Sequence, residues 1–501
     1  ALSLYNQALP IYRELKNRKG EADTLYSICL TYDGLDRKKE QLPLYNQALS
    51  IYRQLKDRAG EANTLLCIGI TYSDLERYKE ALPFCNQALP IYRQLKDRAS
   101  EANTLVRICI VYDGLKRTKE KFPLYNQILS IRRELKDLTG EAGCLVDIGN
   151  TYSNLERYAE ASRFYNQALP IYQELKNPQG IESIGASYNQ MEHYDEAIRA
   201  YNLALDTYRN LKDRSGEAGV LDSLGSVYSS LTNSQEALNN YRLALSIYRE
   251  LKDRSAEALT LSSVGRVYKQ SGGYKEALDS SNSALFIYRE LKDQDGELWM
   301  SCLLGEIYMG MGQYEEAQRY YESGLAYGRK IKNERLEAGA LAGMGHNYSK
   351  QKRYEEALTF LKQSLPALEK APDDRRRFIV CNLTETTIAY ANLKQPQQAI
   401  LSGKRAINVL QSVRLDNQNL DKESQRAYLA DHRGLYERVA SLLVQQNRLE
   451  EAEQVLRFLR QDDAFEFARR DPKLAKELAD LFKPLLYTAT EKQQLDAQGV
   501  K

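Results

Sequence analysis

Apolar residues recur along this chain with the spacing of one face of a helix, and the pattern itself repeats about every 40 residues. Its clearest copy runs from Gly60 to Arg98. Within it Leu65, Ile68 and Tyr72 fall three and four apart, a short polar turn follows at Asp74-Leu75-Glu76-Arg77, and a second stripe runs through Tyr78, Ala81, Leu82, Cys85, Ala88, Leu89 and Tyr92. The pattern predicts two antiparallel helices, A and B, with Lys96-Asp97-Arg98 and a following glycine closing helix B. A hairpin of this size cannot bury its apolar face alone. Helix A of the next copy must cover it, so the copies are expected to stack into a solenoid with one continuous core.

Full copies begin near Gly20, Gly60, Ser100 and Gly140, then near Gly180, Gly216, Ala256, Gly296 and Leu336, giving nine hairpins up to Pro372. Residues 1–17 match residues 81–97, so the chain is expected to open inside a helix B whose own helix A is missing, as if the N-terminus were cut. The copy at Gly180 is irregular. Five steps separate Gly180 from Gly185 where nine separate Gly60 from Gly69, so its helix A is predicted one turn short. Pro10, Pro43, Pro83, Pro90, Pro123 and Pro170 all align inside helix B, at positions expected to face solvent and to bend the helix convex to water.

Beyond Pro372 the repeat fades into a divergent tenth hairpin, Asp373–Leu393 with Gln397–Val413. A longer pair follows, turning at Asn447-Arg448, and then an amphipathic helix carrying Leu474, Leu478, Leu481 and Phe482. The expected organisation is therefore 1–372 a repeat array of a half-repeat plus nine hairpins, 373–470 divergent helical hairpins, and 471–501 a capping helix with a polar tail.

Leu65, Ile68, Gly69, Tyr72, Ala81 and Ala88 resemble the signature of the tetratricopeptide repeat (TPR), over roughly the first 370 residues. The phrase LKDRxGEAxTL is similar to the long-helix subclass found in kinesin light chains and Pins-type scaffolds. The resemblance implies an all-α TPR solenoid, a right-handed superhelix of antiparallel helix pairs, that binds a protein or peptide in a concave groove without chemistry. The pair from Asp421 to Asp471 resembles the segment that ends the repeat array in bacterial proteins carrying a C-terminal CHAT domain, a caspase-like protease. That implies an alternative: the sensor or regulatory half of a multidomain protease whose catalytic domain lies beyond Lys501.

Composition narrows the function classes. The chain has 70 basic and 68 acidic residues for a net charge of +2, without the clustered basic excess of a nucleic-acid binder. No run approaches the roughly 18 apolar residues of a membrane span, and no signal-peptide pattern opens the chain, so a cytoplasmic location is expected, with neither nucleic acid nor membrane as partner. None of the seven cysteines is at CxxC spacing; Cys29 and Cys109 replace the small glycine of Gly69, Gly149, Gly225 and Gly265, as buried thiols would. Most of the 36 tyrosines fall in four columns, the packing ladders typified by Tyr72, Tyr92, Tyr45 and Tyr78, with hydroxyls expected at the rim.

Candidate chemistry is sparse. His193, His346 and His432 sit in different hairpins with no Cys or acidic partner set by spacing, and Gly272-Gly273 and Gly310-Met311-Gly312 lack the preceding strand of a phosphate loop. No enzyme, metal or cofactor is expected. The resemblance places the first residue after the small glycine of helix A on the concave wall. That column reads Leu30, Ile70, Ile110, Asn150, Ala186, Ser226, Arg266, Glu306 and His346. Asn150 keeps the peptide-binding asparagine of Pins-type scaffolds, with Asn154 one turn on, while the carboxylate clamp of chaperone-binding members is absent as a set. Arg266 and Lys269 add cations. The expected ligand is a polypeptide segment with an apolar half over the first three hairpins and an acidic half over the sixth to eighth.

Overall fold

The computed structural model describes residues 1–34, 37–155, 157–369, 376–416, 422–460 and 484–498. Among them every regular element is helical. The B-type helices are α1 (Leu2–Glu14), α3 (Lys38–Leu55), α5 (Tyr78–Leu95), α7 (Lys121–Glu134), α9 (Tyr158–Glu174), α11 (Tyr194–Leu211), α13 (Ser234–Leu251), α15 (Tyr274–Leu291), α17 (Tyr314–Lys330) and α19 (Tyr354–Glu369). They alternate with the A-type helices α2 (Arg18–Asp33), α4 (Arg58–Asp74), α6 (Arg98–Gly114), α8 (Leu138–Ser153), α10 (Pro178–Gln190), α12 (Arg214–Ser230), α14 (Arg254–Gln270), α16 (Gln294–Gly310) and α18 (Glu334–Lys350). Then come α20 (Arg376–Asn392), α21 (Pro396–Asp416), α22 (Lys422–Gln445), α23 (Leu449–Arg460) and α24 (Ala489–Ala497). The chain forms two compact units, Ala1–Ser223 and Leu224–Lys501, divided within α12.

The junction between one hairpin and the next is built differently from the expected glycine stop. Helix α3 ends on Lys56, whose φ of 57° is left-handed; Lys56 N–H donates to Arg53 O at 3.1 Å and Asp57 N–H to Tyr52 O at 2.9 Å. Those bonds satisfy carbonyls that the helix end would otherwise orphan. Asp57 then caps α4, its Oδ1 accepting from Gly60 N–H at 2.9 Å. The glycine therefore belongs to the first turn of the next helix, where an added Cβ would lie 2.5 Å from the Tyr52 ring. Lys96, Lys212, Lys252 and Lys292 are left-handed in the same way, and Asp97, Asp213, Asp253 and Asp293 cap alike.

An ion-pair unit locks each of several junctions. Glu61, buried in the first turn of α4, receives Arg53 Nε at 2.9 Å from the previous helix and Arg58 at 2.5 Å from its own. Glu101, Glu217 and Glu257 are buried between equivalent arginine pairs, Arg93 and Arg98, Arg209 and Arg214, Arg249 and Arg254. Burial would push the Glu217 and Glu257 carboxyls up, but the arginines outweigh it and hold both below the ordinary carboxylate range.

Within a hairpin the small column of helix A sits against helix B. A Cβ on Gly149 would lie 2.4 Å from the Tyr165 ring, and one on Gly69 would lie 2.6 Å from Cys85 Sγ. Cys29 and Cys109 occupy this column as buried thiols. The tyrosine columns typified by Tyr45 and Tyr92 are mostly buried packing, those typified by Tyr72 and Tyr78 are half-buried, and two hydroxyls reach the edge of helix A: Tyr52 to Asp23 and Tyr92 to Asn63, both at 2.7 Å. Pro10, Pro43, Pro83, Pro90 and Pro170 all face solvent inside continuous helices. Pro123 is different, because α7 starts only at Lys121, after a 3-10 turn at Thr118–Glu120.

Helix α10 has 13 residues where α4 and α6 have 17, the one-turn deficit that the spacing predicts. In the second unit, α20 to α23 gather a core around Tyr436, Val439 and Leu443, against which Leu365 of α19 also packs. The expected boundary at Pro372 and the expected helix at Leu474–Phe482 lie outside the described residues. Where a polar tail is expected, α24 forms on a capping box of Thr488 and Glu491, with Glu491 and Leu495 buried. Among the described residues no helix is long and apolar enough to cross a membrane.

Candidate functional site

In each unit side chains of successive A helices meet across one repeat, so the A helices line one face, the wall of the predicted column. In the first unit Tyr26 of α2 meets Cys67 of α4, hydroxyl to sulfur at 3.2 Å, and Asn150 of α8 meets Ser187 of α10 at 3.0 Å. The predicted column lies along this wall. Leu30 is 50% and Ile110 41% exposed, with Ile70 half-buried between them. Three apolar side chains on successive helices thus fall in one column, the outer two exposed and the middle one half-buried.

Asn150 closes the line, and its chemistry is narrower than its residue type suggests. Its Oδ1 accepts from Tyr165 Oη at 2.7 Å and lies 3.0 Å from Ser187 Oγ. Ser187 Oγ has one proton and also lies 2.9 Å from Ser183 O, so Tyr165 is the donor that engages this oxygen and Nδ2 is the group left to meet a ligand. Asn154, at the C-terminal cap of α8, is exposed, its N–H donating to Asn150 O at 2.9 Å. Ala186 is exposed on α10.

Arginines cover the tyrosines at the hairpin turns. Arg37, Arg77, Arg117 and Arg157 lie 4.4 to 4.8 Å above the rings of Tyr32, Tyr72, Tyr112 and Tyr152. Phe84 stacks on Tyr72 at 5.6 Å and Phe164 on Tyr152 at 5.5 Å. Each is a cation–π contact between the start of a helix B and the end of the helix A before it.

The inner wall of the second unit is ionic, and several of its charges are paired along the wall. Lys269 of α14 pairs with Glu306 of α16; His346 Nε2 of α18 lies 3.3 Å from Glu385 Oε1 of α20, whose other oxygen accepts from Ser349 Oγ at 2.6 Å. Burial lowers the His346 pKa, with Glu385 pulling it the other way. Of the two cations expected to meet an acidic ligand, Lys269 is already engaged, while Arg266, half-buried, makes no ion pair with a described residue. Glu385 is a wall residue that the column did not include. Opposite charges one repeat apart, Lys269 with Glu306, are the signal that could have revealed the pairing.

Among the described residues the structure brings no His and Cys together as a nucleophile and base. His193 caps α11 with its ring 6.0 Å from Tyr158 and 6.3 Å from Tyr188. Burial pushes the Cys29, Cys109 and Cys144 thiols up to about 12 and those of Cys85 and Cys302 to about 11, which keeps them protonated and poorly nucleophilic. Among the described residues no group of three His, Cys, Asp or Glu could hold a metal ion.

The tetratricopeptide repeat family matches residues 60–134, 100–174, 181–250, 256–330 and 340–376, together more than half of the chain. The chain belongs to the tetratricopeptide repeat family. The matched TPR segments contain Ile70, Ile110, Asn150, Asn154, Arg266, Lys269, Glu306 and His346, while Leu30 lies before them in a hairpin of the same build. Among solved structures, aspartyl phosphate phosphatase F from Bacillus subtilis is similar at 15% identity, over 70% of this chain and 93% of that one, with a TM-score of 0.47. A Rap protein complexed with competence and sporulation factor aligns at 16% identity over 74% and 98%, with a TM-score of 0.43. The kinesin light chain-like TPR repeats from Podospora anserina align at 16% identity over 39% and 96%, with a TM-score of 0.35. No curated protein sequence matches the chain.

Proposed function

We propose that this TPR chain is a non-enzymatic scaffold whose N-terminal unit holds a protein or peptide segment on its inner wall. One observation carries the reading: Leu30, Ile70 and Ile110 line up on successive A helices and end at Asn150, whose Oδ1 is engaged by Tyr165 and whose NH2 is left for a ligand. Aligned exposed apolar side chains mark contact surfaces. A fixed amide donor beside them suits a backbone carbonyl. A polypeptide with apolar side chains on one edge and free carbonyls on the other has both features, whereas a compact small molecule would not span several helices about 10 Å apart.

The test is selection from a displayed random-peptide library on the full chain, followed by binding of the selected peptides to variants. Peptides rich in apolar residues are expected. Ile110→Ala and Ile70→Ala should each weaken them by about 1 to 3 kcal/mol, the cost of truncating an interface anchor. Selected peptides that bind Ile110→Asp as well as the parent would overturn the assignment.

A further inference from the structure

On the B-type helix α21, remote in sequence from the wall columns, the chain holds a stretch of itself as an extended peptide. Asn408 Oδ1 accepts from Leu485 N–H at 2.7 Å while its Nδ2 donates to Leu485 O at 3.2 Å and to Tyr487 Oη at 3.0 Å. One side-chain amide thus pairs with both backbone groups of a single residue, a contact blind to what side chain that residue carries. One turn earlier on α21, Lys404 Nζ donates to Leu486 O at 2.9 Å.

Side chains supply the selectivity. Leu485 is buried in the core of α20 to α23, and Leu486 points to solvent. Six residues past Leu485 the segment has become helix α24, and its Glu491 meets Lys404 at 3.0 Å and Arg448, the residue just before α23, at 2.9 Å. Glu451 of α23 completes the cluster, pairing with Lys404 and, at 2.6 Å, with Arg448. Lys404 is 0% exposed and Glu491 5%. A cation this deeply buried is costly unless every nearby position is matched, so the place filled by Glu491 demands a carboxylate. Leu495, one turn further, is buried as well.

We propose that Asn408, Lys404 and Arg448 form a second peptide-binding site, distinct from the inner walls, that recognises an extended-to-helical segment of the form Leu-x-Tyr-Thr-x-x-Glu-x-x-x-Leu and is filled here by the chain's own residues 485–495. The contacts are those of peptide recognition: backbone capture at one end, an apolar anchor, then a carboxylate clamp. Because the occupant belongs to the chain, the site is a clasp for residues 485–495, and the same segment presented from outside binds only when the clasp is empty.

The test uses the full chain and a fluorescent synthetic peptide of residues 484–498. Leu485→Asp with Glu491→Gln displaces the chain's own segment and leaves every site residue intact; this variant should capture the peptide, and the parent chain should not. Adding Asn408→Ala to the emptied chain should weaken capture by about tenfold or more, the loss expected for two backbone hydrogen bonds. Failure of the emptied chain to bind, or equal binding with and without Asn408, overturns the site. Hydrogen exchange on the parent chain gives an independent reading. The Leu485 amide should be protected, and Asn408→Ala should release 485–497 while leaving α14 to α19 unchanged; free-peptide exchange of 485–497 in the parent would equally overturn it.

Discussion

Arg209 Nε reaches from the end of α11 to Glu217 Oε1, 2.9 Å away in the first turn of α12, and so joins one hairpin to the next by a single ion pair. Arg214 holds the other oxygen at 2.5 Å. The carboxylate is 10% exposed while the guanidiniums are nearly half exposed, so solvent weakens the pair without removing it. Charge-assisted hydrogen bonds to a buried carboxylate are worth about 1.5 to 3 kcal/mol, and the exposed arginines bring the expectation for Glu217→Gln to about 1 to 2 kcal/mol at pH 7.

The pH dependence has a definite sign. Arg209 and Arg214 depress the folded-state pKa of Glu217, so its contribution is present above the unfolded carboxylate value of about 4.3 and is lost as pH falls through the folded value. Glu257 behaves alike. Thermal unfolding should therefore separate the parent and Glu217→Gln at pH 7, and the gap should shrink below about pH 4. A gap that is constant from pH 7 to pH 3 would show that the ion pair contributes nothing.

Two glycines of α8 should respond in opposite directions to the same substitution. Gly149 faces Tyr165, whose ring is fully buried and whose hydroxyl is fixed on Asn150, so an added methyl meets a ring that cannot move away. Gly149→Ala should cost about 1 to 3 kcal/mol through overpacking. Gly143 has nothing within 4 Å of its would-be Cβ. Gly143→Ala should stabilise by about 0.5 to 1 kcal/mol, because it removes backbone freedom from the unfolded chain in a helix interior. Chemical denaturation followed by hydrogen exchange within α8 distinguishes the two.

What the sequence disclosed, and what it hid, follows from distance along the chain. The hairpins, the tyrosine ladders, the solvent-facing prolines and the missing turn of α10 are local or strictly periodic, and a repeat of about 40 residues displays them directly. The junctions were harder. Arg53 and Glu61 are eight apart across a helix break, where no helical spacing pairs them, and the glycine that looked like a stop turned out to pack under Tyr52. Asn150 looked able both to donate and to accept; only the fold brings Tyr165 and Ser187 to its oxygen. Lys404 with Glu491, 87 positions apart and outside the repeat, had no periodicity to announce it.

The missing turn of α10 has a packing consequence that leads to the last prediction. Ile51, Ile91 and Ile131 occupy one column of helix B and are buried under the A helix that follows. Their counterpart on α9, Ile171, is only half-buried, beside an α10 that is one turn short. Stability in such an array is close to a sum of hairpin terms and nearest-neighbour interfaces, so a poorly covered interface lowers its own neighbourhood rather than the whole stack. The C-terminal half of α9 and all of α10 should therefore open before α4 to α6 and exchange amide hydrogens faster. Ile171→Ala should also cost less than Ile91→Ala, which empties a buried site and should lose about 2 to 5 kcal/mol. Exchange rates in α9 and α10 equal to those in α5 and α6, together with equal losses for the two alanine variants, would show that the short helix is fully compensated.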